Sequence, residues 1–106
     1  MNVLVYYPNG YQKRVDIKWL YGIDTIEKIE TLHPEWNFIY VNDSHKNIYQ
    51  DIDVILRPNR HDGYPKMIAE ANFLNIPYIW SYETGQYVEP SINDIERRLI
   101  EIDKLR

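Results

Sequence analysis

The stretch DVILRPNRHDGYPKMIAEANFLNIPYIWS, residues 53–81, decides the fold. It opens on a short apolar run, DVIL at residues 53–56, that reads as a strand halted by Pro58. Met67, Ile68, Ala71 and Leu74 then recur at helical spacing, which predicts an amphipathic helix over residues 64–74. Pro65 falls in the first turn of that helix, where no backbone N–H is needed. IPYIW, residues 76–80, is a second buried-type strand. Strand, helix and strand in succession belong to a parallel sheet covered by helices.

The flanking sequence extends the same alternation. NVLVYY, residues 2–7, is a β-rich run stopped by Pro8, Asn9 and Gly10. RVDIKWL, residues 14–20, alternates apolar and polar positions, so it reads as a short strand or an extended loop. Asp24 with Glu27 three residues on is a capping-box start, after which Ile26, Ile29 and Leu32 run at helical spacing to Pro34. NFIYVN, residues 37–42, is a strand of aromatic and β-branched residues. Ser91 with Asp94 caps a last helix, with Ile92, Ile95, Leu99, Ile102 and Leu105 on its inner face and Arg97 and Arg98 toward solvent. The expected fold class is α/β: a single Rossmann-like three-layer domain over residues 1–106, with a mostly parallel sheet of four or five strands. Such sheets bind ligands outside the carboxyl ends of their strands, so the loops after Tyr7, Asn42, Leu56 and Trp80 are the ones to watch.

Composition narrows the function classes. The chain of 106 residues is the size of one domain, and 44% hydrophobic with 26% charged residues is ordinary for a globular protein. No apolar run is long enough for a membrane span, and the first residues lack the features of a signal peptide, so a cytoplasmic location is expected. With no cysteine, disulfides, thiolate metal sites and a cysteine nucleophile are excluded. A formal charge of −4 argues against nucleic acid as a partner, which normally needs a basic face. Asp51 and Asp53 form a D-x-D, but the pair leads into a strand instead of ending one, and His33, His45 and His61 have no metal-ligand spacing. Ten tyrosines, with Tyr6, Tyr7 and Tyr11 clustered, mark either a wet pocket rim or amphipathic strand ends.

The loop within residues 57–71 carries the chemistry. Gly63 can take positive φ and lets the backbone approach a ligand closely. The first N–H groups of the helix behind it are unpaired and suit phosphate or hydroxyl oxygens. Asp62 stands before the helix and Glu70 in its second turn, where side chains lean back toward the N-terminus, so both carboxylates can face one mouth and hold sugar hydroxyls. DGYPKMIAEA, residues 62–71, resembles the sugar-nucleotide signature of the group 1 (family-4-like) retaining GT-B glycosyltransferases: an acid, Gly, an aromatic or apolar residue, Gly or Pro, four residues, then Glu-Ala. The context is similar too, with an apolar strand ending in Pro before the motif, and Pro77, a buried strand, Ser81, Gly85 and Glu89 after it. Asp stands where Glu is commoner, and the family's Gly-Arg pair after the first strand is absent.

The resemblance implies one half of a GT-B fold, the donor-binding domain, recognising a nucleoside-diphosphate sugar without a metal or other cofactor. It implies Asp62 on hydroxyls of the donor sugar, Glu70 on the nucleotide ribose, and backbone amides of Gly63 and Tyr64 near the sugar or diphosphate. Lys13 and Arg14 would neutralise the diphosphate, and Gly10 and Gly85 would border the ligand. It also implies a second Rossmann domain, a partner chain or a homo-oligomer to present the acceptor. Plainer readings stand beside these. Asp62 serves as an N-cap, Glu70 pairs with Arg57 or Lys66, and Lys13 and Arg14 form a solvated turn. Arg60, His61 and Lys66 gather positive charge around the loop. A protein that binds without catalysis, or one that kept the fold and lost the ligand, fits the same sequence.

Overall fold

Val3, Leu4 and Val5 are each no more than 1% exposed. The strand they form, β1 (Asn2–Tyr6), has a neighbour on either side and apolar side chains packed on both faces. The computed structural model describes residues 1–8, 16–42, 46–86, 89 and 91–106. After β1 come α1 (Ile17–Leu20), α2 (Ile23–Leu32), β2 (Asn37–Val41), a 3-10 turn (Lys46–Tyr49), β3 (Val54–Arg57), α3 (Lys66–Leu74), β4 (Tyr78–Trp80) and α4 (Ile92–Lys104). The four strands form one sheet in the order β2-β1-β3-β4, and every pairing is parallel. This α/β architecture is compatible with a small Rossmann-like domain.

Register and burial agree. Val3 pairs with Val54 and Val5 with Leu56, and these four join Ile79 in a cluster with Ile23, Ile26 and Ile29 of α2 and Ile95 and Leu99 of α4. Leu4 pairs with Ile55, and both pack instead with Met67 and Ala71 of α3 and with Tyr49. Alternate residues of a strand face opposite sides, so two separate apolar sets in adjacent positions are what a sheet buried on both sides requires. Among the described residues no helix is long and apolar enough to cross a membrane.

The elements differ from expectation where a local cue lost to a neighbour. The described part of residues 14–20 is helical: Asp16 caps α1 by accepting the Trp19 N–H at 3.2 Å. Asp24 does not cap α2; the N-cap is Gly22 at φ 68°, and the Asp24 carboxylate is drawn to Arg60. α3 starts at Lys66, with Pro65 as its N-cap at ψ 142°. A proline disfavours the helical region for the residue before it, so Tyr64 cannot begin the helix, and Asp62 lies too far upstream to cap it. Ser91 caps α4 as expected, accepting the Asp94 N–H at 3.2 Å. The last members of the three apolar stripes, Leu32, Leu74 and Leu105, are 59%, 46% and 86% exposed, so each stripe loses its cover at its carboxyl end.

Candidate functional site

β1 lies between β2, which follows it, and β3, reached after the chain has crossed over. The connections out of β1 and β3 therefore diverge, and their carboxyl ends mark the switch point at which such sheets form a ligand crevice. Arg57, the last residue of β3, stands at that point. Its guanidinium sits 5.0 Å from the ring centre of Tyr6, at the end of β1. Nε donates to Asp62 Oδ2 at 2.7 Å and Nη2 to Oδ1 at 3.2 Å, while Trp80 Nε1 donates to Oδ2 at 3.0 Å. Both side chains of the pair are 8% exposed. Asp62 thus receives three N–H bonds from the ends of β3 and β4, and it anchors the loop that carries Gly63 and Tyr64. Such a pair adds little net stability over apolar packing, but losing one member strands the other charge in the interior.

A second arginine ties the crevice walls together. Arg60 is 4% exposed and donates once from each of its five guanidinium N–H groups. Nη1 and Nη2 reach Asp24 at 2.9 and 3.1 Å, Nε and Nη2 reach Glu89 Oε1 at 2.9 and 2.7 Å, and Nη1 also reaches the Trp19 carbonyl. Its backbone N–H donates to the Leu20 carbonyl at 2.8 Å. The bonds to Glu89, aided by Asp24, outweigh the effect of burial and hold the guanidinium above its ordinary pKa. A single side chain, three positions after β3, thereby joins α1, the first turn of α2 and the segment after β4. Beneath it, Pro58 packs against Gly22 so closely that a Cβ there would lie 2.2 Å from the Pro58 carbonyl oxygen. Asn59 is 2% exposed; its carbonyl accepts the Ser81 hydroxyl at 2.7 Å, and its Oδ1 has no partner.

The residues singled out from the sequence have varied surroundings. Gly63 does not use positive φ; among the described residues the glycines that do are Gly22 and Gly85. Open space surrounds the Cβ position of Gly63, so its backbone is accessible from outside. Tyr64 is 69% exposed and meets Trp80 edge-on at 5.8 Å. Glu70 is half-buried and lines an apolar groove of about 480 Å³ with Tyr49, Ala69, Phe73 and Leu74. The two carboxylates of the motif therefore have different neighbours, Asp62 beside Arg57 and Trp80 and Glu70 along the flank of α3. Arg57 pairs with Asp62, not with Glu70. Lys66 and His61 are exposed, His61 edge-on to Tyr82 at 5.4 Å. Gly85 turns the chain after β4 at φ 76°. Gly10, Lys13 and Arg14 lie outside the described residues.

The D-x-D pair is occupied at the opposite end of the sheet. Asp53 Oδ2 accepts the backbone N–H of Asn2 at 2.6 Å and a bond from Arg106 at 3.2 Å, and Asp51 turns the chain at φ 61°. Sequence reasoning missed the organising roles of Arg57 and Arg60. No local signal marks Arg60, since the carboxylates that hold it come from positions 36 residues before and 29 residues after it, whereas the partner of Arg57 stands in the same loop. Comparison of the chain with protein-family models, with curated proteins and with solved structures finds no match.

Proposed function

We propose that this chain is the donor-binding domain of a retaining glycosyltransferase of the GT-B kind, and that it takes a nucleoside-diphosphate sugar at the crevice between the carboxyl ends of β1 and β3. The observation that carries the reading is the coincidence of the D-G-Y-P-x4-E-A segment with that crevice: the segment leaves β3 where the strand order reverses. The two apolar clusters on alternate strand residues support a three-layer Rossmann-like domain, the architecture such a role needs. The accessible backbone at Gly63 and Tyr64 suits the sugar or diphosphate, and the exposed Lys66 and His61 are nearby sources of positive charge. Glu70 is the carboxylate for the ribose.

Asp62 takes a changed part in this reading. Its oxygens already accept three N–H bonds, so it acts first as the anchor that presents Gly63 and Tyr64, and its contact with a sugar hydroxyl is confined to a remaining lone pair. Arg57 and Arg60 are likewise committed to carboxylates and do not serve the diphosphate. This engagement of the motif's first acid favours, as the second reading, a protein that binds the nucleotide-sugar without transferring it. A thermal-shift panel of UDP-, GDP- and ADP-sugars tests binding under either reading. At a ligand concentration of about 100 Kd the native state gains about 2.7 kcal/mol, which raises Tm by roughly 10 °C or more in a domain of this size. A flat panel would remove the proposal.

A further inference from the structure

We propose that the cleft between β4 and the N-terminal half of α4 is a second binding site, for a neutral polyhydroxylated ligand of monosaccharide size. The cleft encloses about 270 Å³. Ile79 and Trp80 of β4 and Ile95 of α4 close its base, all at least nine-tenths buried. Its rim is polar, with Glu83 and Thr84 on the β4 side and Ser91 and Arg98 on α4. The cleft opens beside the edge strand and shares Trp80 and Glu89 with the network of Asp62 and Arg60, but its ligand class is argued without the nucleotide-sugar reading.

Two charges on this rim have no partner among the described residues. Arg98 is half-buried, yet the acids at its i−4 and i+3 positions, Asp94 and Glu101, are both taken by its neighbour Arg97, at 2.6 and 3.3 Å. Among the described residues neither Arg98 nor Glu83 makes an ion pair or a side-chain hydrogen bond. Ser91 Oγ accepts the Asp94 N–H, which leaves its own O–H to donate. The cleft therefore offers a strong donor, a strong acceptor and a hydroxyl around its base.

The surrounding charges select the ligand class. Glu83, Glu89 and Asp94 line the same cleft; Glu89 shares Arg60 with Asp24, and Asp94 shares Arg97 with Glu101. Carboxylates outnumber cations, so an anion is repelled. A simple amine would satisfy Glu83 and leave Arg98 without an acceptor. A sugar ring answers both, because each hydroxyl donates and accepts.

The test is an NMR titration of the folded chain with glucose, galactose, mannose and N-acetylglucosamine, with acetate and ethylamine as charged controls. At least one sugar should give saturable shifts confined to the amides of Thr84, Ser91, Ile95 and Arg98. Arg98→Ala and Glu83→Gln should each weaken that binding roughly ten- to hundred-fold, with circular dichroism unchanged and with any UDP-sugar affinity unchanged. Should Arg98→Ala disturb the helix, Glu83→Gln, on an exposed loop, carries the test by itself. The absence of saturable shifts with every sugar, larger shifts with acetate or ethylamine, or undiminished affinity in Glu83→Gln would each overturn the site.

Discussion

Replacing Asp62 with Asn separates an anchoring carboxylate from one that only waits for a ligand. Asn keeps one oxygen, enough for the Trp80 indole N–H now bonded at 3.0 Å, but it turns an NH2 group toward Arg57 and removes the negative charge. Arg57, 8% exposed along its side chain, would keep a buried charge with the Tyr6 ring as its main compensation. Breaking one partner of a buried pair costs about 3–5 kcal/mol, a large share of the roughly 5–15 kcal/mol available to a domain of this size. The assay is equilibrium unfolding in urea, because guanidinium salt would itself screen the pair. Asp62→Asn should lower the unfolding free energy by about 3–5 kcal/mol. The double variant Arg57→Met/Asp62→Asn should recover much of that loss, with a coupling energy of about 2 kcal/mol or more between the two sites. A loss below about 1 kcal/mol in the single variant, or strict additivity in the cycle, would refute the anchoring role and return Asp62 to the ligand alone.

Other consequences are equally direct. Gly22→Ala should cost about 2–4 kcal/mol, since φ 68° strains any side chain and the new Cβ would stand 2.2 Å from the Pro58 carbonyl oxygen. Gly85→Ala, at φ 76° with open space around it, should cost only the strain of about 1–2 kcal/mol in the same unfolding assay; equal losses at the two positions would disprove the close packing. His33 has Glu35 on Nδ1 at 2.9 Å and Glu96 on Nε2 at 2.6 Å, and its ring stacks on Trp36 at 4.1 Å. Burial pushes its pKa down, but the bonds to Glu96 and Glu35 outweigh it, so the folded value lies above the ordinary 6.5. Its stabilisation is therefore fully present below about pH 6.5 and is lost as pH rises through the folded value. Urea midpoints should fall over that window in the wild type and stay flat in His33→Gln; a wild-type midpoint that rises there would contradict the assignment.

The legible parts of this protein were those with a period. The valines and isoleucines of residues 2–7 and 53–56, and the stripe of α3, announced an α/β sheet, and the Ser91 cap was read at the correct residue. Departures came where a tertiary partner outbid a local motif. Asp24 has the spacing of a capping box, but Arg60 from the other side of the crevice claims its carboxylate. Asp62 has the look of an N-cap, yet Pro65 pushes the helix start beyond its reach and Arg57 takes both its oxygens. Gly63, flanked by motif residues, is the glycine the sequence marks for its backbone, whereas Gly22 is the one pressed against Pro58. Such pairings depend on which loops meet at the carboxyl edge, and that follows from the strand order β2-β1-β3-β4, which no single stretch of sequence encodes.

The central claim is that the crevice receives a nucleoside-diphosphate sugar with Glu70 on the ribose, and isothermal titration of wild type and Glu70→Ala addresses it most directly. The wild type should bind at least one of the UDP-, GDP- or ADP-sugars with a one-to-one isotherm. Loss of a hydrogen bond to a charged acceptor costs about 1.5–3 kcal/mol, so Glu70→Ala should bind the same ligand roughly tenfold more weakly or worse. Its urea midpoint should stay near that of wild type, because the buried stripe of Met67, Ile68 and Ala71 is untouched. No heat of binding with any of the ligands, or equal affinity in wild type and Glu70→Ala, would contradict the account.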